Sequence, residues 1–399
     1  MTAAVEQQFS GFATLGVVTN DNPDLVFQRD ISRQEGSYDG DVSFATDSLL
    51  GLQWQGRWSN YVDTTVQLVV KDRFHPSPEK AIEWAFLRYR PTDGFDVRLG
   101  RMGSDIFMLS EYRQVGYGFQ WVRPPVDFYG LLAFYHFDGM DVTKRFDMDG
   151  GTLNLKVFYG NSDEDYPVNY QTNDVLKVNL NAGGIGFTYE ANEWKWRYNF
   201  VDVVIEDTNY DNDELAQTVL AFSPYWSQAP EIANDLQSIG NHLTYHELGV
   251  AYDNNVWWGQ AEATQIRSEA RLIPEGRYYY FSVGRRVGDF SIYAIRGYAY
   301  SDRDPIWINP PEGLPSPFAE QTAALAYAST LTLNGVGTRQ TSISMGVRWD
   351  FALKMALKCQ VDRYKVDNTG INLWMDATGR GITEPQTAHV VSLTWDMVF

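Results

Sequence analysis

The sequence predicts an all-β chain closed into a transmembrane antiparallel β-barrel of about 16 strands. Three observations carry that expectation. Apolar and polar residues alternate along successive segments, which gives each segment one oily and one wet face. The segments run roughly nine to thirteen residues, the length a tilted strand needs to cross a bilayer. Turns of roughly two to five residues alternate with connections of about seven to thirty-six, so the short links fall on one side of a membrane and the long ones on the other. A soluble sandwich has no reason to put every long loop at one end.

Taken in order, residues Phe9 to Val18 alternate weakly and lead into a polar stretch. In the next hairpin Leu50, Leu52, Trp54 and Trp58 share a face opposite Gly51, Gln53, Gln55 and Arg57, and Val66, Leu68 and Val70 then oppose Gln67 and Lys71. After a loop from Phe74 to Lys80, Ala85, Leu87 and Tyr89 alternate with Trp84, Phe86, Arg88 and Arg90. Pro91-Thr92-Asp93-Gly94 is a turn by composition, and Val97 and Leu99 alternate with Arg98 and Gly100 beyond it. Further strands are expected at 140–146, 153–159, 184–190, 194–204, 243–252, 256–266, 278–286, 290–300, 342–349 and 353–364. The closing strand puts Val391, Leu393, Trp395, Met397 and Phe399 on one face and Ser392, Thr394 and Asp396 on the other. Residues 1–399 thus form one barrel domain, with long outer loops at about 20–47, 161–177, 207–241, 302–337 and 367–387 and another at about 102–139. Within 302–337, Ala319 to Ala328 is either a helix or part of an added strand pair that raises the count to about eighteen.

Composition narrows the class. Charged residues make up 21% of the chain and mean hydropathy is -0.34, so no helix crosses a membrane; a barrel, whose interior and loops are polar, stays open. Aromatics reach 15%, which suits belts at the two membrane interfaces, with Trp54, Trp58, Trp194, Trp196, Trp257 and Trp395 facing out near strand ends. Tyr278 and Tyr280 are the exceptions expected to point inward. Cys359 is the single cysteine, which excludes an internal disulfide and a cysteine-based metal cluster. The formal net charge of -19 argues against nucleic acid as a partner. The acidic run Asp163-Glu164-Asp165 is a candidate for binding structural calcium that bridges to lipid headgroups, although solvated loop charge is the plainer reading. No other metal and no cofactor is expected. No charged-then-apolar leader precedes Gln7, so the chain is expected to be a mature form whose export signal has been removed, or else to stay in the cytoplasm.

A catalytic reading needs a nucleophile or acid beside an organised base. The histidines are His75, His136, His242, His246 and His389; the spacing of His242 and His246 would suit a metal on a helix, but on a strand separates them by roughly 13 Å. No Gly-x-Ser-x-Gly elbow, phosphate loop or paired-cysteine site is present, and the expectation is a protein that is not an enzyme.

Bases on the polar face of each strand must point into the lumen, because a charge facing lipid at mid-membrane costs about 2–4 kcal/mol. Those bases are Arg57, Lys71, Arg88, Arg90, Arg98, Lys156, Lys195, Arg197, Arg286, Arg348 and Lys358. A mainly basic lumen favours anionic or zwitterionic solutes even though the whole chain is acidic, since salt screens the distant loops over about 8 Å.

The regular hairpins, the terminal Phe399 with Trp395 before it and the long third loop resemble the trimeric porins of the Gram-negative outer membrane, over the whole chain. The run Val122-Arg123-Pro124-Pro125-Val126-Asp127-Phe128-Tyr129-Gly130 is similar to a group of porins without an assigned solute. The resemblance implies a water-filled channel for passive diffusion of small hydrophilic solutes and ions, set in lipopolysaccharide as a homotrimer, with Trp395 and Phe399 read by the barrel-assembly machinery. It also implies that the third loop folds inward and narrows the pore. Asp105, Ser110, Glu111, Tyr112, Arg113, Arg123 and Asp127 are then the loop's site residues, facing a wall of Arg57, Arg88, Arg90, Arg98 and Arg348 across a transverse field. A substrate-specific porin for sugars or small organic acids, an adhesin, and a barrel enzyme use the same architecture.

Overall fold

The computed structural model describes residues 6–33, 35–73, 77–167, 174–208, 212–379 and 381–399. Sixteen antiparallel strands close into one barrel. They are β1 (Glu6–Asn20), β2 (Leu49–Arg57), β3 (Val62–Lys71), β4 (Ile82–Thr92), β5 (Phe95–Gly103), β6 (His136–Met148), β7 (Gly151–Pro167) and β8 (Val175–Ala191), followed by β9 (Trp194–Thr208), β10 (His242–Asp253), β11 (Trp257–Ser268), β12 (Gly276–Val287), β13 (Phe290–Ser301), β14 (Thr338–Ala352), β15 (Met355–Ile371) and β16 (Gln386–Val398). Each pairs with its neighbour in sequence. β1 closes the cylinder by serving two partners: its first half runs against β2 from Glu6↔Arg57 to Thr14↔Leu49, and its second half against β16 from Phe12↔Val398 to Asn20↔Val390. Phe399 completes the seam, exchanging N–H···O bonds of 2.9 Å with Gly11.

The alternation sorts as a lipid-embedded wall demands. Leu50, Leu52, Leu99, Val157, Phe281 and Leu393 are exposed on the outside. Trp58, Trp194, Trp196, Trp257 and Trp349 are exposed beside the tight turns, where an indole has apolar and wet neighbours at once. Tyr278 and Tyr280 point inward and are buried. No helix among the described residues is long and apolar enough to cross a membrane.

The long connections carry the departures from expectation. The segment left open between helix and strand pair is a helix, Phe318–Asn334, so the barrel keeps sixteen strands. It packs with the helices Asn212–Ala221 and Ala229–Asp235 through Val219, Trp226, Ala326 and Leu333. The expected loop 161–177 is mostly strand: β7 and β8 are both 17 residues long and pair from Val175↔Pro167 downward. Residues 168–173 of that loop, Phe74 to Pro76 of the loop before β4 with its His75, and 209–211 lie outside the described residues. A short ribbon pairs Leu25–Phe27 with Trp374–Asp376 inside the outer mouth.

β8 and β9 run past their expected limits, and the outer halves of β8, β9 and β10 show why. Toward the turns, the outward residues are apolar (Phe187, Trp196, Leu248) and the inward ones polar (Thr188, Arg197, Glu247). Toward the long loops the two faces exchange character. Leu180, Val201, Val203 and Leu243 face in, while Asn179, Asn181 and Asp202 face out. A strand whose apolar phase switches midway reads as two short patterns rather than one long one.

The wall gives a direct test. Val361 lies mid-strand on the outer face of β15, opposite Met345 and Val391. Val361→Arg is expected to lower unfolding free energy in phospholipid vesicles by about 2–4 kcal/mol, while Thr188→Arg on the luminal face changes it by less than about 1 kcal/mol. Urea titration followed by tryptophan fluorescence reads both.

Candidate functional site

Residues 104–135, between β5 and β6, lie inside the barrel, and most of their side chains are buried. The polar backbone of such a segment needs partners, and the luminal side chains of the far wall supply them. The Tyr245 hydroxyl donates to the Ile106 carbonyl at 3.1 Å, and the Met108 N–H donates to Glu262 at 2.9 Å. Lys358 donates to the carbonyls of Gly116 and Trp121 at 2.6 and 2.7 Å, and Arg348 to those of Tyr117 and Phe119 at 2.9 and 2.8 Å.

The run from Val122 to Gly130 supplies the strongest fastening. The Arg123 guanidinium is buried and donates to Asp47 at 2.6 Å and to the Ser392 hydroxyl at 2.5 Å, with Asp362 at 3.5 Å. Pro125 precedes a single helical turn, Val126–Tyr129, where a fixed φ and missing N–H are tolerated. That turn aims the Asp127 carboxylate at Gln340, 2.9 Å away, and at Ser342. Gly297 makes the approach possible, because a Cβ there would collide with the Asp127 carboxylate. The Tyr129 hydroxyl donates to Glu262, which also accepts from Tyr280 at 2.6 Å.

With one side of the lumen filled, a polar chamber of about 300 Å³ remains against β4 to β9. Arg88, Arg98, Lys156, Lys195 and Arg197 line it together with Asp96, Asp105, Glu111 and Glu190. Asp105 meets Lys156 directly and Arg197 at 2.6 Å; Glu111 lies 3.4 Å from Lys156 and 3.7 Å from Arg98. Above the inserted segment, on the long-loop side, is a second chamber of about 690 Å³ whose lining is mostly aliphatic and aromatic.

The predicted wall divides. Arg88 and Arg98 line the polar chamber; Arg88 pairs with Asp63 at 3.1 Å and Arg98 with Asp141 at 2.9 Å. Arg90 also binds Asp63, at 2.5 Å. Arg57 is corrected: it is the last residue of β2, its side chain is 55% exposed, and it pairs with Glu6 at 3.1 Å beside the turn. Arg348 is also corrected, since it is buried under the inserted segment and paired with Asp350 at 2.7 Å, which makes it a fastener.

The loop residues divide too. Asp105, Glu111 and Tyr112 face the polar chamber. Ser110 accepts the Phe107 N–H at 2.8 Å, and Arg113 donates to the Leu132 and Tyr129 carbonyls at 3.0 and 2.8 Å, so both shape the segment itself. Arg123 and Asp127 are fasteners rather than pore-facing groups, because each is buried among partners from the opposite wall.

The expectation of a mainly basic lumen is corrected by acids on the same inward faces: Asp63, Glu83, Asp141, Glu247, Glu262 and Asp362 are all buried there. Lys156 and Arg197 matter more than Arg57, and the alternation already placed them inward. Asp163, Glu164 and Asp165 do not form a calcium cluster. They sit on β7, where successive side chains take opposite faces; Asp163 accepts from Asn179 at 2.6 Å, Glu164 from Ser162 at 2.9 Å, and Asp165 pairs with Lys80. No grouping of metal-binding side chains occurs among the described residues. Trp395 lies on the outward face of β16, opposite Leu15 and Leu357.

No family model matches the chain, and no curated protein matches its sequence. Solved structures that align with it from end to end include the outer membrane channel DcaP of Acinetobacter baumannii, at 12% identity over 100% of this chain and 99% of that one, with a TM-score of 0.56. The outer-membrane OmpT of Vibrio cholerae aligns at 10% identity over 100% and 99%, TM-score 0.53, and OmpF of Salmonella typhi at 11% over 98% of each chain, TM-score 0.51. The fold is that of the outer-membrane porins, and the apolar exterior is that of a barrel wall set in lipid. The sequence-based exclusion of catalysis is corrected at this point: OmpT stands among the similar structures, and a barrel shared at 10% identity does not separate a channel from a catalyst.

Breaking the central fastening has a computable cost. Arg123→Met leaves Asp362 buried without its cation and Asp47 with only Arg29, at 3.8 Å, and is expected to destabilise the folded barrel by about 3–5 kcal/mol. The double variant with Asp47→Asn recovers part of that loss in the same urea titration. Burial alone would push the Asp47 carboxyl up, but Arg123 and Arg29 hold it below its usual range. Its contribution is therefore full above the unfolded-state value near about 4 and lost as pH falls through the lower folded value. Wild type should keep the inserted segment protease-resistant at pH 4 and expose it only in stronger acid.

Proposed function

We propose that this porin-fold barrel is a passive channel for small dipolar solutes, with the polar chamber as its narrow part. What supports the reading most is the opposition of Arg98, Lys156 and Arg197 on the wall to Asp105 and Glu111 on the inserted segment. Charges of both signs held on facing surfaces orient a dipole and penalise an apolar solute, which loses water without gaining a partner. With five bases and four acids around the chamber, ion preference is weak and slightly anionic. The extent of filling by residues 104–135 favours a selective channel over a wide diffusion pore.

Three accompaniments belong to the same reading. The porin likeness supports a homotrimer. Exposed Arg267, Arg277, Arg363 and Lys365 on the outer wall suit the phosphates of lipopolysaccharide. The outward Trp395 and the terminal Phe399 suit recognition by the barrel-assembly machinery.

Reversal potential across a potassium chloride gradient tests the channel. Lys156→Gln combined with Arg197→Gln is expected to shift preference toward cations, whereas Arg57→Ala leaves it unchanged. Absence of any conductance in planar bilayers, or equal behaviour of the two variants, sinks the proposal.

A further inference from the structure

The polar chamber does not account for the larger cavity above it. A porin lumen is ordinarily wet, and a strand facing it ordinarily shows polar side chains. Here three adjacent strands reverse that rule for their outer halves, turning Leu180, Val203 and Leu243 inward while Asn179 and Asp202 face out. The inserted segment contributes Leu131 and Phe134 to the same space, and the roof comes from the 318–334 helix and the loop before β12. One carboxylate, Asp376, is the sole charged group in the described lining, and it already accepts from Thr378 at 2.7 and 2.8 Å, from Gly379 at 3.0 Å and from Gly381 at 2.7 Å.

We infer that this outer chamber is a binding site for an uncharged, hydrocarbon-rich small molecule. Its volume of about 690 Å³ is in the range of ligand pockets, and its apolar surface gains by excluding water in proportion to the area covered. A charged ligand would give up its hydration with no free counter-charge to meet it. Hydroxyls and amides of Ser238, Thr332 and Asn372 in the lining can take one or two polar substituents. The site goes beyond the channel reading and does not depend on conduction, so either can fail alone.

The test uses the full chain held in amphipathic polymer, titrated calorimetrically with 1-adamantanol, adamantane-1-carboxylate and glucose, with empty polymer as blank. The expected result is saturable binding of the alcohol, none of glucose, and binding of the carboxylate weaker by about tenfold or more. Val203→Asp, which puts charge in the wall, and Val203→Trp, which fills the space, should each abolish alcohol binding while the barrel stays heat-modifiable on a gel. Binding no greater than to empty polymer, equal affinity for alcohol and carboxylate, or undiminished affinity in either folded Val203 variant would overturn the inference.

Discussion

Hydrocarbon offers no partner to an unpaired backbone group, and that one constraint organises the molecule. A sheet in lipid has to meet itself, so the first strand must accept the last as well as the second. β1 does both, and the overlap from Phe12 to Thr14, where it touches β2 and β16 together, is where the cylinder is sealed. Closure then creates an inside. Whatever fills that inside must satisfy its own polar groups, which is why residues 104–135 are held by buried side chains from the far wall as well as by contacts within the segment.

The two chambers follow from how that filling is done. Arg123, Lys358 and Arg348 draw the segment toward β14 to β16, and Glu262 draws it toward β11. The space left over is asymmetric. Its turn-side part is lined by ion pairs and its loop-side part mostly by apolar side chains, so one barrel holds two chambers of opposite character.

Much of this was legible in the residues. Alternation located the hairpins, and the short-turn rule separated the two ends, because both depend only on neighbours in sequence. The outward tryptophans and the inward Tyr278 and Tyr280 followed from the same period. The upper parts of β8 and β9 were not legible as continuations, since their apolar phase changes at the level where the exterior leaves the oily band. The luminal acids could have been found by the count that found the bases: Asp141 and Glu262 stand on inward positions as plainly as Arg98 does. The fastening of Arg123 could not, because Asp47 and Asp362 are 76 and 239 positions away in the chain. Nothing local marks that arginine as buried rather than pore-facing.

The inserted segment belongs to the first third of the polypeptide, yet its anchors Arg348, Lys358 and Asp362 arrive with the last. Other anchors, Asp47, Tyr245 and Glu262, come earlier in the chain, so the final hairpins complete the fastening rather than begin it. The segment is thus a strut that ties early strands to late ones across the lumen.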